Sequence, residues 1–231
     1  MTFFVGLDLG QAQDPTAIAI LEWRALPGTE KIETWGILRA GATRDTPRRE
    51  VRVTGTDPGA AAFACGHLER LRLGTPYPAV ADHVIALLET APLKGQTQLV
   101  VDATGVGRPV VDMLRQRGLT PVAITITGGD SVTYDRGYRV PARDLIGSVQ
   151  VLLQTDRLKF SAGIPAVPQL VQELLAFRVK INPLTAHDSY GNREGQHDDM
   201  VFAVAVAAWW GQRLQPPAPK RDIGSRSYLS P

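Results

Sequence analysis

Four aspartates stand at the ends of segments that otherwise read as buried. They are Asp8 in VGLDLG, Asp102 in LVVDATG, and the pair Asp198-Asp199 in QHDDMVFAVA. A carboxylate within an apolar element is costly unless it is paired or holds a cation. Three such places in one chain point to one shared site. Carboxylate oxygens suit the hard divalent ions Mg²⁺ and Mn²⁺. Two such ions about 4 Å apart can clamp a phosphate, one activating water and the other steadying the leaving oxygen. Each acid also has a plainer role. Asp8 could be a turn or cap acid, and Asp102 the acid of a β-to-α turn. One of Asp198 and Asp199 is expected to cap a helix, where Asp is favoured.

The elements that must carry these acids can be read along the chain. Residues 3–9 form an apolar run that reads as a buried first strand. TAIAILEW (16–23) and KIETWGIL (31–38) read as two further strands, with Pro27-Gly28 as a turn, giving an antiparallel meander. Residues 40–78 are rich in Gly, Thr, Arg and Pro, and read as an insertion or mobile segment with a short strand near 50–54. A helix is expected over 78–91. QLVVD (98–102), a helix over 110–117 closed by Gly118, and PVAITIT (121–127) form a βαβ unit whose strands should be parallel. Residues 128–139 read as a loop or hairpin, followed by a helix opening after Pro141. A short strand near 157–160, an amphipathic helix over 168–179 and a polar loop over 182–196 come next. The last element is a strongly apolar helix over 198–210, where Trp209 and Trp210 read as packing residues. The expected organisation is one domain over 1–213 and a disordered, Pro-rich tail over 214–231.

Bulk composition is that of an ordinary globular protein. Of 231 residues, 44% are hydrophobic and 21% charged, with net charge +2. Arg outnumbers Lys and clusters at 44–52, 68–72 and 136–143. Arginine's planar fork suits phosphate, so binding to a polyanion would weaken with salt. The single cysteine, Cys65, excludes an internal disulfide and a Cys-based zinc site. No apolar run of roughly 18 residues exists, so no membrane span is expected. The N-terminus does not read as a secretory leader, and the chain reads as cytoplasmic.

The order of these pieces resembles the RNase H-like superfamily. There, a three-strand meander carries a first acid, a parallel strand carries a second, and a late helix brings a third. More narrowly, GLDLGQAQDPTA, VVDATGVG, TGGDSVTYDRGYRVPARDL and HDDMVFAVAVAAW resemble the nuclease domain of phage terminase large subunits. No GxxxxGK[ST] P-loop is present, so the resemblance is to the nuclease without the ATPase motor.

The resemblance implies an α/β fold with a central mixed sheet of five strands and helices on both faces. It implies an endonuclease that uses Mg²⁺ or Mn²⁺, two ions, to hydrolyse double-stranded DNA. Asp8, Asp102 and Asp199 would be the core ligands, with Asp198 the alternative or additional late ligand. Asp14 would assist a metal, and His197 would touch substrate or the outer shell. Arg136, Arg139 and Arg143, in or after the hairpin segment, would touch DNA, and Arg108 in the TGVGRP turn is a further such candidate. By resemblance, the partners would be a portal, a small terminase subunit or a separate packaging ATPase in a bacterial host cell.

Other functions use the same residues. GLDLG and VVDATGVG also resemble the phosphate motifs of ATP-binding proteins of the actin and sugar-kinase type, although that fold leaves the HDD helix unexplained. A RuvC-like junction resolvase would use the same acids on another DNA shape. A non-catalytic DNA-binding module would bind without cleaving.

Overall fold

The computed structural model describes residues 2–10, 14–26, 30–35, 51–56, 61–105, 107–181, 188–191 and 197–214. The chain divides into two compact units. One comprises Met1–Arg24 with Ala61–Leu214, and the described part of the other is a hairpin within Ala25–Ala60. That hairpin pairs β3 (Glu30–Trp35) antiparallel with β4 (Val51–Thr56).

The larger unit is built on β1 (Thr2–Asp8), β2 (Ala17–Ala25), β5 (Ala61–Arg70), β6 (Thr97–Asp102) and β7 (Val122–Thr127). It adds β8 (Thr133–Tyr134), β9 (Tyr138–Pro141) and β10 (Leu158–Phe160). These strands form one mixed sheet in the order β10-β5-β2-β1-β6-β7-β9-β8. Strand β1 runs antiparallel to β2 and parallel to β6, and β6 runs parallel to β7. The helices are α1 (Tyr77–Leu88), α2 (Gly107–Gln116), α3 (Ala142–Gln154), α4 (Val167–Ala176) and α5 (Asp199–Arg213). A small hairpin pairs β11 (Arg178–Ile181) with β12 (Asp188–Gly191).

The architecture is the expected mixed α/β sheet with helices on both faces, widened from five strands to eight. The third strand of the meander is not the expected 31–38, whose described residues, 31–35, pair with β4 instead. Its place beside β2 is taken by β5, within the stretch expected to be an insertion. Ala61, Phe63 and Cys65 alternate into the core there. The small residues among them mute the strand signal, which normally rests on bulky β-branched and aromatic side chains. The helix expected over 168–179 ends at Ala176, and the next residues pair as β11. The expectations for 40–50, for the rest of the 182–196 loop and for the tail from 215 lie outside the described residues.

Alternation along each strand sets which residues meet which helices. Phe3, Val5 and Leu7 pack with Val80, Val84, Val110 and Leu114 of α1 and α2. Phe4 and Val100 pack on the other face, with the residues of α3 and α5. Asp8 shares parity with Phe4, and Asp102 with Val100. Both acids therefore point to the face that α5 covers.

Helix α5 is buried on nearly all sides and rich in Ala, which lets it lie close on β1. Gly6 marks the closest approach, since a Cβ there would overlap the Ala203 carbonyl oxygen. At the helix's far end, Trp209 and Trp210 pack against Tyr138, with ring centroids 5.8 and 5.2 Å away. Trp210 Nε1 also donates to Gln98 Oε1 at 2.7 Å. Trp210→Phe keeps the ring stack and loses this bond. It is expected to cost about 1 kcal/mol, a fall of roughly 2–4 °C in Tm by calorimetry. Among the described residues, no helix is long and apolar enough to cross a membrane.

Candidate metal centre

Strands β1 and β6 are parallel neighbours, and their register sets Asp8 directly beside Asp102. Each is the last residue of its strand, so both carboxyls emerge at the carboxyl edge of the sheet. The head of α5 brings Asp198 and Asp199 to the same edge. All four acids, with Asp14, line one open cleft of about 570 Å³. Gly10, Thr104 and Gly128 form other parts of its wall.

The carboxyls crowd one another. Burial, first, and then the negative charges of Asp102, Asp199 and Asp198 hold Asp8 well above the usual carboxylate range. Burial also pushes Asp102 up, against hydrogen bonds from Thr104 and Asp8. The Thr104 amide donates to Asp102 Oδ1 at 2.8 Å, which is the turn role open to this acid. Thr104 Oγ1 in turn accepts the Ile126 amide at 2.7 Å, fixing the turn to β7. Asp102 thus serves the turn and still faces the cleft.

The late pair is divided. Asp199 is 2% exposed, and its two oxygens accept from Arg70 Nε and Nη2, each at 2.8 Å. Arg70 also donates to Glu173 of α4. Asp198 is half-buried and occupies the N-cap position of α5, where it makes no side-chain cap bond. The Val201 amide of the first turn instead donates to Glu173 Oε2 at 3.2 Å. The cap expected of the Asp pair is therefore supplied from another helix.

Arg70 and Glu173 do not stand out in the sequence as parts of this site. Glu173 carries a signal, because it falls three residues after the core residue Leu170 on an amphipathic helix. Arg70 carries less. In β5 the buried residues run 61, 63, 65 and then 68, so the alternation slips by one between Cys65 and Leu68. Such a slip turns every later side chain to the other face. It gives Arg70 the parity of Leu68, on the α5 side.

Among the described residues, no three His, Cys, Asp or Glu side chains are placed so that they alone could hold a metal ion. The donor set instead fits Mg²⁺ or Mn²⁺. These ions keep several waters and rest on a few carboxylates plus substrate phosphate. Desolvated carboxyls that raise one another's pKa are the groups whose repulsion a divalent cation would relieve.

No protein-family model and no curated protein matches the sequence. Solved structures do. The large terminase nuclease from thermophilic phage G20c superposes with a TM-score of 0.55 at 18% identity, covering 89% of this chain and 80% of that chain. The same nuclease with bound cobalt gives 0.55 at 19% identity, over 90% and 80% of the two chains. The chain has the fold of a large terminase nuclease.

Within that terminase-nuclease fold, the remaining candidates lie around the acids. His197 Nδ1 stands 3.2 Å from Asp14 Oδ1, joining the head of α5 to the loop after β1. The segment after β7 forms the expected hairpin, β8–β9. Arg136 sits in its turn with φ 53, and Arg136 and Arg139 are both exposed. Arg143 donates to Asp130 Oδ1 and to the Asp130 carbonyl, at 2.8 and 2.7 Å, which ties α3 to the loop before β8. The Arg108 side chain lies outside the described residues.

Proposed function

We propose that this chain is a divalent-metal-dependent endonuclease that hydrolyses phosphodiester bonds of duplex DNA, as a terminase nuclease does. The observation that carries this reading is the convergence of acids from three separate elements, β1, β6 and the head of α5, on one open cleft. Asp8 and Asp102 would hold the ions together with a carboxylate from the late pair Asp198-Asp199, and Asp14 would assist from the mouth. A bound pair of Mg²⁺ or Mn²⁺ ions supplies an activated water and charge neutralisation at the phosphate.

The chain's own residues do the positioning. The Thr104 amide orients Asp102. Asp14, with His197 beside it, borders the cleft, where a DNA backbone would enter. The exposed Arg136 and Arg139 contact phosphates, and Arg143 holds its loop in place. The partners consistent with this reading are a portal, a small terminase subunit or a separate packaging ATPase, in the cytoplasm of a bacterial host.

The test is incubation of the purified chain with supercoiled plasmid, linear duplex and a four-way junction in Mg²⁺, Mn²⁺ or EDTA. Nicking and linearisation in either metal, none in EDTA and no preference for the junction are expected. Strong junction preference would move the assignment to a resolvase. DNA binding without cleavage in either metal would leave a binding module.

A further inference from the structure

The late pair contains two aspartates at adjacent positions, and the structure treats them differently. Asp198 is half-buried and borders the cleft beside Asp8 and Asp102. Asp199 is 2% exposed and held at both oxygens by one guanidinium, each contact 2.8 Å. The planar fork of arginine matches a carboxylate bidentately, and this is its strongest ion-pairing geometry. Arg70 is anchored in turn by Glu173, whose other oxygen accepts the Val201 amide of α5. The last residue of β5, the middle of α4 and the first turn of α5 are thus joined through one arginine.

We infer that Arg70 is a positioning residue that withholds Asp199 from the metal and leaves Asp198 as the ligand from α5. This rests on the metal-dependent reading and says how its third carboxylate is chosen. Both oxygens of Asp199 already accept N–H groups of Arg70, which draws on their charge and leaves each a single lone pair to offer an ion from its place in the cleft wall. Arg70 has a second effect. It cancels one of the negative charges at the head of α5, so it sets how strongly the cleft attracts a cation. With Asp199 neutralised and still in place, Arg70 would become a surplus positive charge beside the ions. With both neutralised, the cleft would regain its original net charge.

The test compares Mn²⁺ binding by calorimetry in the absence of DNA, alongside plasmid cleavage, in single and paired variants. Asp198→Asn is expected to abolish detectable Mn²⁺ binding and cleavage. Asp199→Asn is expected to keep Mn²⁺ binding but weaken it about 10-fold, the scale seen when an outer partner of a metal site is lost. Adding Arg70→Gln to Asp199→Asn is expected to bring Mn²⁺ affinity back to within about twofold of wild type, a non-additive rescue. A merely structural role for Arg70 would make the paired variant worse than the single one in affinity and in Tm.

The inference is overturned if Asp199→Asn abolishes Mn²⁺ binding and Arg70→Gln does not restore it, because Asp199 is then itself a ligand. Should the paired variant not fold, the contrast between Asp198→Asn and Asp199→Asn still decides, since equal loss of Mn²⁺ binding in both refutes it. If the wild type binds no Mn²⁺ and cleaves no DNA, the metal-dependent reading fails and this inference falls with it. If the wild type binds Mn²⁺ and Asp102→Asn does not, that reading stands whatever Arg70 does.

Discussion

Asp102→Asn is expected to abolish cleavage and, in the same protein, to raise the Tm of the metal-free fold at pH 8. The loss should be about 10³-fold or more, on the order of 4 kcal/mol of transition-state stabilisation that the ions no longer supply. The gain in stability has a separate origin. Burial moves the Asp102 carboxyl from its ordinary 3.8 up to about 6. A carboxyl whose pKa is raised by folding binds its proton more tightly in the native state than in the unfolded chain. Its contribution is therefore fully favourable below about pH 4 and is lost as pH rises through about 6. By pH 8 the ionised group opposes folding by up to about 3 kcal/mol. Asp8, shifted in the same direction by burial and by its neighbours, adds to this.

Asn at 102 carries no charge, and its side-chain oxygen can still accept the Thr104 amide. The variant should melt on the order of 5 °C above wild type at pH 8 without metal, and near wild type at pH 4. Mn²⁺ should reverse the ranking at pH 8, since only the wild type gains from it. Differential scanning calorimetry at the two pH values, with EDTA and with Mn²⁺, reads all of this. A metal-free Asp102→Asn that melts below wild type at pH 8 would contradict the crowding of charges in the cleft.

Gly6→Ala should damage the fold severely, although it adds a single methyl group. The new Cβ would overlap the Ala203 carbonyl oxygen and stand 3.0 Å from the Ala207 Cβ. The first neighbour is helix backbone and cannot rotate away, so α5 must move off β1. Overpacking of a tight core costs about 3 kcal/mol at the upper end of the usual range, and this site lies at or beyond it. A fall in Tm of roughly 6–12 °C is expected. The effect should reach the site, because the displaced helix is the one that brings Asp198 and Asp199 to Asp8. Gly66→Ala provides the comparison. A Cβ there meets nothing within 4 Å. That substitution should stay within about 0.5 kcal/mol of wild type. Equal tolerance of both would mean that α5 does not lie on β1 at Gly6.

Much of the site's framework is legible in the sequence because strand alternation and acid placement are local signals. Phe3 to Leu7 read as buried, so an acid at position 8 stands out, and LVVD gives the same pattern at 102. The start of the apolar helix expected over 198–210 is readable for the same reason, whereas its last turn runs on to Arg213 through the polar Gln212. The third strand of the meander is not. KIETWGIL has the stronger strand composition, yet Ala61–Arg70 lies beside β2, because Phe63 and Cys65 fill space under α5 that only tertiary packing defines. The partition of Asp198 from Asp199 is also beyond reach. It depends on Arg70, 129 positions away along the chain, and on a one-residue slip in β5 that turns this arginine inward. Helix capping is usually local, and here the cap comes from Glu173 on another helix.

Whether this cleft is a nuclease centre is decided by plasmid cleavage with wild type and Asp102→Asn, side by side, in Mn²⁺ and in EDTA, with both proteins shown to be folded by circular dichroism. Wild type is expected to nick and linearise the plasmid in Mn²⁺ and not in EDTA, and Asp102→Asn to leave it supercoiled in both. Metal-dependent cleavage that survives in Asp102→Asn would place the active site elsewhere. No cleavage by folded wild type in Mn²⁺ would contradict the assignment of this cleft as a nuclease centre.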